Sequence, residues 1–378
     1  MFNKHDLTRN ECMLDGSFAR EGYDWWWHSF TAIHEKTGKE VPFFIEFFLC
    51  NPALGRKEPI LGQLEANKIN KVKPSYLMVK AGCWGENHCQ LHRFIGWDDV
   101  EVHGKAPFSV SAGNCYVSDT ELRGSIGISE EMVEKHPEWM CDAGTMKWNL
   151  KMDKKIAFNV GYGASKLFRM LKAFEMYWHA EGMKSLYSGE IILNGEKYAV
   201  VPEDSYGYAD KNWGRGFTSP WVWLSSSCMT SRLTGKALTN SVFDIGGGRP
   251  KVFFWALNRQ LLSAFWYEGE EFEFNFSKFW TLTRTKFDFK ETDEEVIWWV
   301  RQENYKAVME TEVHCLKKDM VLVNYEAPDG SKRHNRLWNG GNGVGVVKLY
   351  RKKGGKLVLI DDIDVTHIGC EYGEYDEE

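Results

Sequence analysis

Along much of the chain, apolar and polar residues alternate with a period of two. In "EFEFNFSKFW", Phe272, Phe274 and Phe276 fall on one side and Glu271, Glu273 and Asn275 on the other, the pattern of a half-buried strand. "TRTKFDFK" repeats it with Phe287 and Phe289. "KVFFWALN", "EVIWWVRQ", "AVMETEVHC", "GVVKLYRK" and "KLVLIDDIDV" read as further strands, and "LNGEK", "IGGGRP", "APDGSK" and "KKGGK" carry turn chemistry. Closely spaced strands with short turns predict an antiparallel sandwich or barrel. Two segments carry a helical period instead. "SKLFRMLKAFEMYW", Ser165 to Trp178, puts Leu167, Met170, Leu171, Phe174 and Trp178 on one stripe behind a Ser165 cap. "SEEMVEKHPEW" starts with Ser129 as cap and acids in its first turn, and Pro137 should stop it. The fold is therefore expected to be mainly β.

A weak repeat divides the chain. "WWHSFTAIHEKTGKEV" from Trp26 aligns without a gap with "WLSSSCMTSRLTGKAL" from Trp223, at an offset of 197. Thr37-Gly38-Lys39 meets Thr234-Gly235-Lys236, and both copies read as strand, hairpin turn, strand. Two similar β-domains account for this: residues 1–180, with helices near 129–137 and 165–178, and residues 181–378.

Composition adds an interior to this picture. Aromatic residues make up 15% of the 378 positions, with 17 tryptophans, enough for an aromatic-lined cavity as well as aromatic strands. A net charge of −6 without a basic stripe argues against nucleic acid as a partner. No window approaches 18 uncharged apolar residues, so no stable membrane insertion is expected. The N-terminus has no apolar signal-peptide core. The nine cysteines include no CxxC pair; Cys83 and Cys89, six apart, are the closest. They read as mostly buried free thiols of a cytoplasmic protein, and a reactive thiol nucleophile is the alternative, though no electropositive setting is visible. The eleven histidines include no HExxH. His88 and His92 would share a strand face, and packed or solvated histidines are the default over a metal pair. No metal is assigned. "NGGNGVGVVKLY" is followed by a strand, not the helix a phosphate loop needs, and reads as a turn with close backbone packing.

Three stretches hold candidate chemistry. "YGYADKNWGRGF", Tyr206 to Phe217, places Tyr208, Asp210, Lys211, Asn212 and Trp213 together. It reads either as a turn, with Gly214 and Gly216 allowing the bend, or as a site where Asp210 is a general acid between aromatics. A Lys211 ammonium beside Asp210 would lower its pKa and remove that role, but neighbours in an extended segment point apart. "DWWWHSF" gives Trp26 and His28 one strand face and Trp25 and Trp27 the other, and "MYWHAEG" places Trp178 and His179 at the end of the linking helix. Glu46 interrupts the apolar run "FFIEFFL", so it is either a rim residue or a buried acid that needs a partner.

"GYADKNWG", preceded by "SGEIILNGEKYAV" and followed by "PWVWLSSS", resembles the tocopherol cyclase family and its relatives, the carotenoid 1,2-hydratases and other tandem lipocalin-like proteins. "RLWNGGNGVGVVKLY" and "THIGCEYGEY" look like the family's closing strands. The match covers mainly residues 175 to 378. The resemblance implies two tandem lipocalin-like antiparallel β-barrel domains with a ligand cavity and no cofactor. It implies an isomerase of the intramolecular-lyase type, adding a phenol or hydroxyl oxygen across a double bond of an apolar, phenolic substrate. A hydratase on the same scaffold and a non-catalytic lipocalin-like binder are the alternatives. Asp210, Tyr208 and His179 would be catalytic, with Trp178 and His179 matching an upstream Trp/His pair. Trp26, His28, Glu46, Trp178, Asn212, Trp213, Trp221 and Trp223 would bind the substrate. An oligomer is compatible with the sequence.

Overall fold

The computed structural model describes residues 4–159, 174–249, 251–252, 255–256 and 260–374. The chain is mainly β and forms two large antiparallel sheets, as the alternation predicts. The first runs from the Tyr23–His34 strand to the Gly207–Gly214 strand, the second from Trp221–Ser226 to Lys356–Gly373. Each curls round its own core. Trp26, Phe43, Val79, Leu91 and Trp148 lie in the first, Leu224, Phe243, Phe265, Met309 and Val347 in the second. A third apolar layer lies between the sheets. There Trp25, Trp27, Phe44 and Phe48 of the first sheet meet Trp221, Trp223, Val323 and Tyr325 of the second.

The division expected at residues 180/181 falls inside the strand Met176–Leu193. That strand pairs with Gly144–Phe158 on one side and Gly207–Gly214 on the other, so residues 181–214 remain in the first sheet. Residues 165–173 of the expected linking helix lie outside the described residues. Trp178 and His179 are strand residues, not the end of a helix; they pair with Asn212 and Lys211 of the Gly207–Gly214 strand, and this pairing overrides the helical period. The other helix is shorter than the expected 129–137 but capped as expected. It spans Glu130–Lys135, the Ser129 hydroxyl accepts from the Met132 N–H at 3.2 Å, and Pro137 lies just beyond it.

The repeat is visible in the turns. Gly38 donates to the His34 carbonyl at 2.9 Å and Gly235 to the Ser231 carbonyl at 2.8 Å. The Lys39 N–H meets the Thr37 hydroxyl at 3.3 Å, and the Lys236 N–H meets the Thr234 hydroxyl at 3.4 Å. Both glycines take a left-handed φ, 68° and 70°, which only glycine adopts without strain. Further from the turn the copies diverge. Tyr23–His34 is unbroken, whereas the second copy breaks at Ser227, between Trp221–Ser226 and Cys228–Ser231. On the adjacent strand His367 takes φ 52°. The break shifts the alternation by one residue. Ala32 and Met229, near the turns, both face their own cores. Trp26 still does, but Trp223 turns to the layer between the sheets.

The glycine-rich stretch is not a turn. Asn339 to Gly345 lie inside the strand Lys332–Lys353, where the register shifts. A Cβ at Gly341 would come within 2.3 Å of the Trp84 ring, so the expected close packing is there.

Candidate active site

Gly207–Gly214 is a central strand, paired with Tyr23–His34 and Met176–Leu193, and all eight of its residues are buried. It is not a turn; the chain bends only after Gly214. A side chain at Gly214 would strike the Glu175 carbonyl, so glycine allows the two backbones to touch there. Alternation sends Tyr208, Asp210 and Asn212 into the layer between the sheets and Ala209, Lys211 and Trp213 the other way. Lys211 pairs with Asp24 at 2.9 Å and lies 4.8 Å from the Trp26 ring centre, on the side away from Asp210. The lysine does not neutralise the acid.

Asp210 receives two donors on one oxygen. Trp178 Nε1 donates to its Oδ2 at 2.7 Å and the Tyr208 hydroxyl at 3.0 Å. Its Oδ1 has no partner among the described residues. The Tyr208 hydroxyl is also 3.2 Å from Oδ2 of Asp244, whose Oδ1 accepts from Trp223 Nε1 at 3.1 Å. One hydroxyl has one proton to give. If it goes to Asp210, the contact with Asp244 is a hydrogen bond only when Asp244 is protonated, and the reverse holds as well. Burial pushes both carboxyls well above the usual range, and the Trp178 and Tyr208 hydrogen bonds on Asp210 only partly oppose this. At least one carboxylic acid is therefore held neutral in a dry aromatic layer. Asn212 is satisfied when its oxygen accepts from Trp25 Nε1 and its amide donates to the Tyr177 carbonyl, both at 3.1 Å.

A row of polar residues crosses the same sheet face. Asp210 pairs in register with Trp27, Trp27 with Glu46, and Glu46 with Lys80. Glu46 is fully buried, not a rim residue. Its Oε2 is 2.8 Å from Lys80 Nζ and accepts from the Tyr325 hydroxyl at 3.1 Å. From the second sheet, Glu371 accepts from Trp221 Nε1 at 2.6 Å and from the Asn339 amide. Burial pushes Glu371 up to about 7. A cavity of about 80 Å³ opens beside Trp178, bounded by Met176, Trp221, Gly246, Leu262 and Phe276. Gly246 makes room for the Trp178 indole, since a Cβ there would meet the ring at 2.9 Å. The carboxyls themselves do not line this cavity, which meets them through Trp178 and Trp221, nor do they line the larger surface grooves of about 570 and 670 Å³ with their charged side chains.

Of the expected site residues, the layer brings together Tyr208, Asp210, Asn212, Glu46, Trp178, Trp221 and Trp223. It excludes four. His179 is opposite Lys211 in register, on the far face, and donates from Nε2 to the Asp6 carbonyl at 3.0 Å. Burial lowers its pKa to about 3, so it neither reaches Asp210 nor carries a proton for it. Trp26 packs at a tilt against Phe108 in the first core, with ring centres 4.7 Å apart. His28 contacts the Tyr187 hydroxyl at 2.9 Å on that same face. Trp213 stacks on Tyr177 away from the layer. Alternation decides all four. His88 and His92 do not share a strand face either: His88 sits in the hairpin turn, and His92 meets the Trp139 carbonyl at 2.7 Å.

Asp244, Glu371 and Lys80 went unrecognised in the sequence. Asp244 interrupts the apolar run "SVFDIG" as Glu46 interrupts "FFIEFFL", and the same signal would have found it.

Residues 106–373 match the model of the tocopherol cyclase-like family. The chain belongs to that family. The match reaches further towards the N-terminus than the motifs alone indicate. The chloroplastic tocopherol cyclase of Zea mays is 30% identical over 101 residues, 27% of this chain. The chain spans only 20% of the length of that relative and of its counterpart from Oryza sativa. Among solved structures, kievitone hydratase from Nectria haematococca is similar with a TM-score of 0.48 and 10% identity, over 93% of this chain and 89% of that one. CghA is similar at 0.44 and 10%, over 95% and 90%. No helix among the described residues is long and apolar enough to cross a membrane.

Glu326 lies outside this network and gives a test of burial. Its Oε1 has no partner among the described residues, and burial pushes its pKa from 4.5 up to about 8. Its contribution to stability is therefore full below about pH 4.5 and lost as pH rises through 8. Urea unfolding should show wild type losing stability between pH 5 and 8.5, with Glu326→Gln removing on the order of 3 kcal/mol of that loss. Equal losses in both proteins would mean that Glu326 is solvated.

Proposed function

We propose that the protein is an acid catalyst that adds oxygen across a carbon–carbon double bond of an apolar, phenolic substrate. The substrate's own hydroxyl supplies the oxygen, making the reaction a cyclisation. The observation that carries this reading is the Asp210–Tyr208–Asp244 chain, in which two carboxyls share one hydroxyl proton. Asp210 donates from Oδ1 to one alkene carbon, and the positive charge develops on the other. The new carboxylate is held by Trp178 Nε1–H and the Tyr208 hydroxyl, both already in place. Asp244 can restore the proton through Tyr208: one proton moves to the tyrosine oxygen as another leaves it for Asp210. The phenol oxygen closes on the cation, and Glu371, near neutrality, accepts its proton. The proton taken up by Glu371 has to return to Asp244 before the next turnover, which leaves the net proton count of each cycle unchanged. The aromatic walls exclude water and shield the cation. The cavity reaches the carboxyls only through Trp178 and Trp221, and at about 80 Å³ it has to widen towards them to admit a substrate, since small-molecule pockets usually run to roughly 300–1,000 Å³.

Unsaturated phenols screened for loss of conjugated absorbance test this reading. A product of unchanged mass supports cyclisation. Incorporation of label from heavy-oxygen water would make the protein a hydratase, and a ligand bound but recovered intact would make it a binding protein. Because the raised carboxyl must hold its proton, turnover should fall as pH rises through its pKa. Deprotonation of Glu371 gives the rising limb below neutrality; a rate that goes on climbing with no fall on the basic side would exclude the acid role.

A further inference from the structure

Away from the carboxyl layer, four elements meet at the seam of the two sheets. Cys228 opens a short strand of the second sheet, opposite Thr366 in register. The Thr366 hydroxyl donates to Cys228 Sγ at 3.2 Å and is 3.0 Å from His367 Nδ1. His367 Nε2 is 3.0 Å from Glu40 Oε2, at the start of the first sheet's Glu40–Cys50 strand. The Tyr206 ring centre lies 4.4 Å from that of His367. One set of hydrogen-bond directions satisfies this chain as an ion pair. The threonine gives its proton to sulfur, so its oxygen accepts from Nδ1–H, and a carboxylate at Nε2 accepts from Nε2–H. Every group in the chain is satisfied when His367 is an imidazolium and Cys228 a thiolate.

The backbone is strained at the same place. His367 and Tyr206 take φ 52° and 42° without being glycine, and such outliers cluster where a site has to be held in position. Cys228 is half-buried, and Glu40 edges the groove of about 670 Å³ that Val41, Trp84 and Tyr198 also line. We propose that Cys228 is a site of covalent addition to α,β-unsaturated carbonyl compounds, activated by Thr366 and His367 with Glu40 behind the imidazole. The sulfur lone pair forms the bond to the β-carbon. The C=C π pair moves into an enolate, which takes one proton from the imidazolium through Thr366. The result is a thioether, a saturated carbonyl compound and a neutral His367, with no oxidant required.

The charges around the thiol agree. Burial opposes the thiolate, but hydrogen bonds from His367, Thr366 and Tyr206 outweigh it and hold the thiol below its ordinary pKa. His367 is raised despite burial, by Cys228 and Glu40. Lys184 adds a second nearby cation, with Glu268 beside it, and Asp204 faces Tyr206. With the thiol lowered, its reactivity is lost only as pH falls through that lower value, so it persists below the range of an ordinary thiol.

The test uses the full chain and limiting N-ethylmaleimide, a Michael acceptor, with each cysteine peptide quantified by mass spectrometry from pH 5 to 9. At pH 6, Cys228 should react at least about tenfold faster than the half-buried Cys12 and Cys141. His367→Gln should remove that advantage at pH 6 and restore an ordinary thiol profile, while Glu40→Gln should reduce it in part. Unchanged thermal unfolding, with the other cysteines labelled as before, would show that the variants fold. Equal labelling of the three thiols at pH 6, or a His367→Gln protein that labels like wild type, overturns the proposal.

Discussion

Asp210→Asn is expected to lower turnover by about 10²–10⁴-fold while substrate binding and folding persist. The amide has nearly the shape of the acid and can still accept from Trp178 and Tyr208, but it has no proton to give to an alkene. It also removes a buried ionisable group whose charged form the layer disfavours, so the thermal midpoint should hold or rise. The partners of Asp210 sharpen the test. Tyr208→Phe breaks the link between the two carboxyls and should slow turnover as well. Asp244→Asn leaves Asp210 its first proton but removes the group that replaces it. Single-turnover kinetics should then show a near-normal first event followed by slow cycling. An Asp210→Asn enzyme that turns over at the wild-type rate on the substrate found by screening ends the acid role. A first event in Asp244→Asn slowed as much as later ones would instead make Asp244 a direct participant.

Most of this fold was written in the period-two pattern. Alternation and turn chemistry predicted a mainly β chain, and the Thr-Gly-Lys repeat marked two hairpins that share their hydrogen bonds. The grouping of the motif's polar residues was legible: Tyr208, Asp210 and Asn212 fall on one face because a strand alternates. What alternation could not say is which face was which. His179, Trp26 and His28 look like part of the site in the sequence, yet each lies one residue out of phase with Asp210. The face of Trp223 depends on a one-residue break at Ser227, opposite a non-glycine residue with positive φ, which no propensity announces. Asp244, Glu371 and Lys80 come from distant strands, brought together only when two sheets pack face to face. A buried charge in an apolar run is the local sign of such a meeting. It pointed to Glu46, and applied throughout it reaches Asp244.

The second large effect is expected at Lys80. Lys80 and Glu46 are both fully buried and in contact at 2.8 Å, with the ammonium 4.0 Å from the Tyr325 ring centre. Lys80 has no solvent to fall back on, and neither does the carboxylate it faces. Lys80→Met therefore leaves Glu46 as an uncompensated buried charge, which should cost about 3–5 kcal/mol in urea unfolding at neutral pH. Restoring balance by removing both charges, Glu46→Gln with Lys80→Met, should recover a large part of that loss, because the penalty belongs to the unpaired charge. Acid should help the single variant. Without the ammonium, only the Tyr325 hydrogen bond opposes burial at Glu46, and its folded pKa stays above the unfolded value of 4.5. The deficit should shrink as pH falls towards that unfolded value and grow as pH rises through the folded one. A Lys80→Met protein within about 1 kcal/mol of wild type at pH 7 would show that the pair is neutral in the folded state. The layer between the sheets would then hold four protonated or proton-sharing acids and no cation. In that case no ammonium would help ionise Glu371 in wild type either, and the acidic limb of the activity profile, which Glu371 sets as the base, would lie at higher pH.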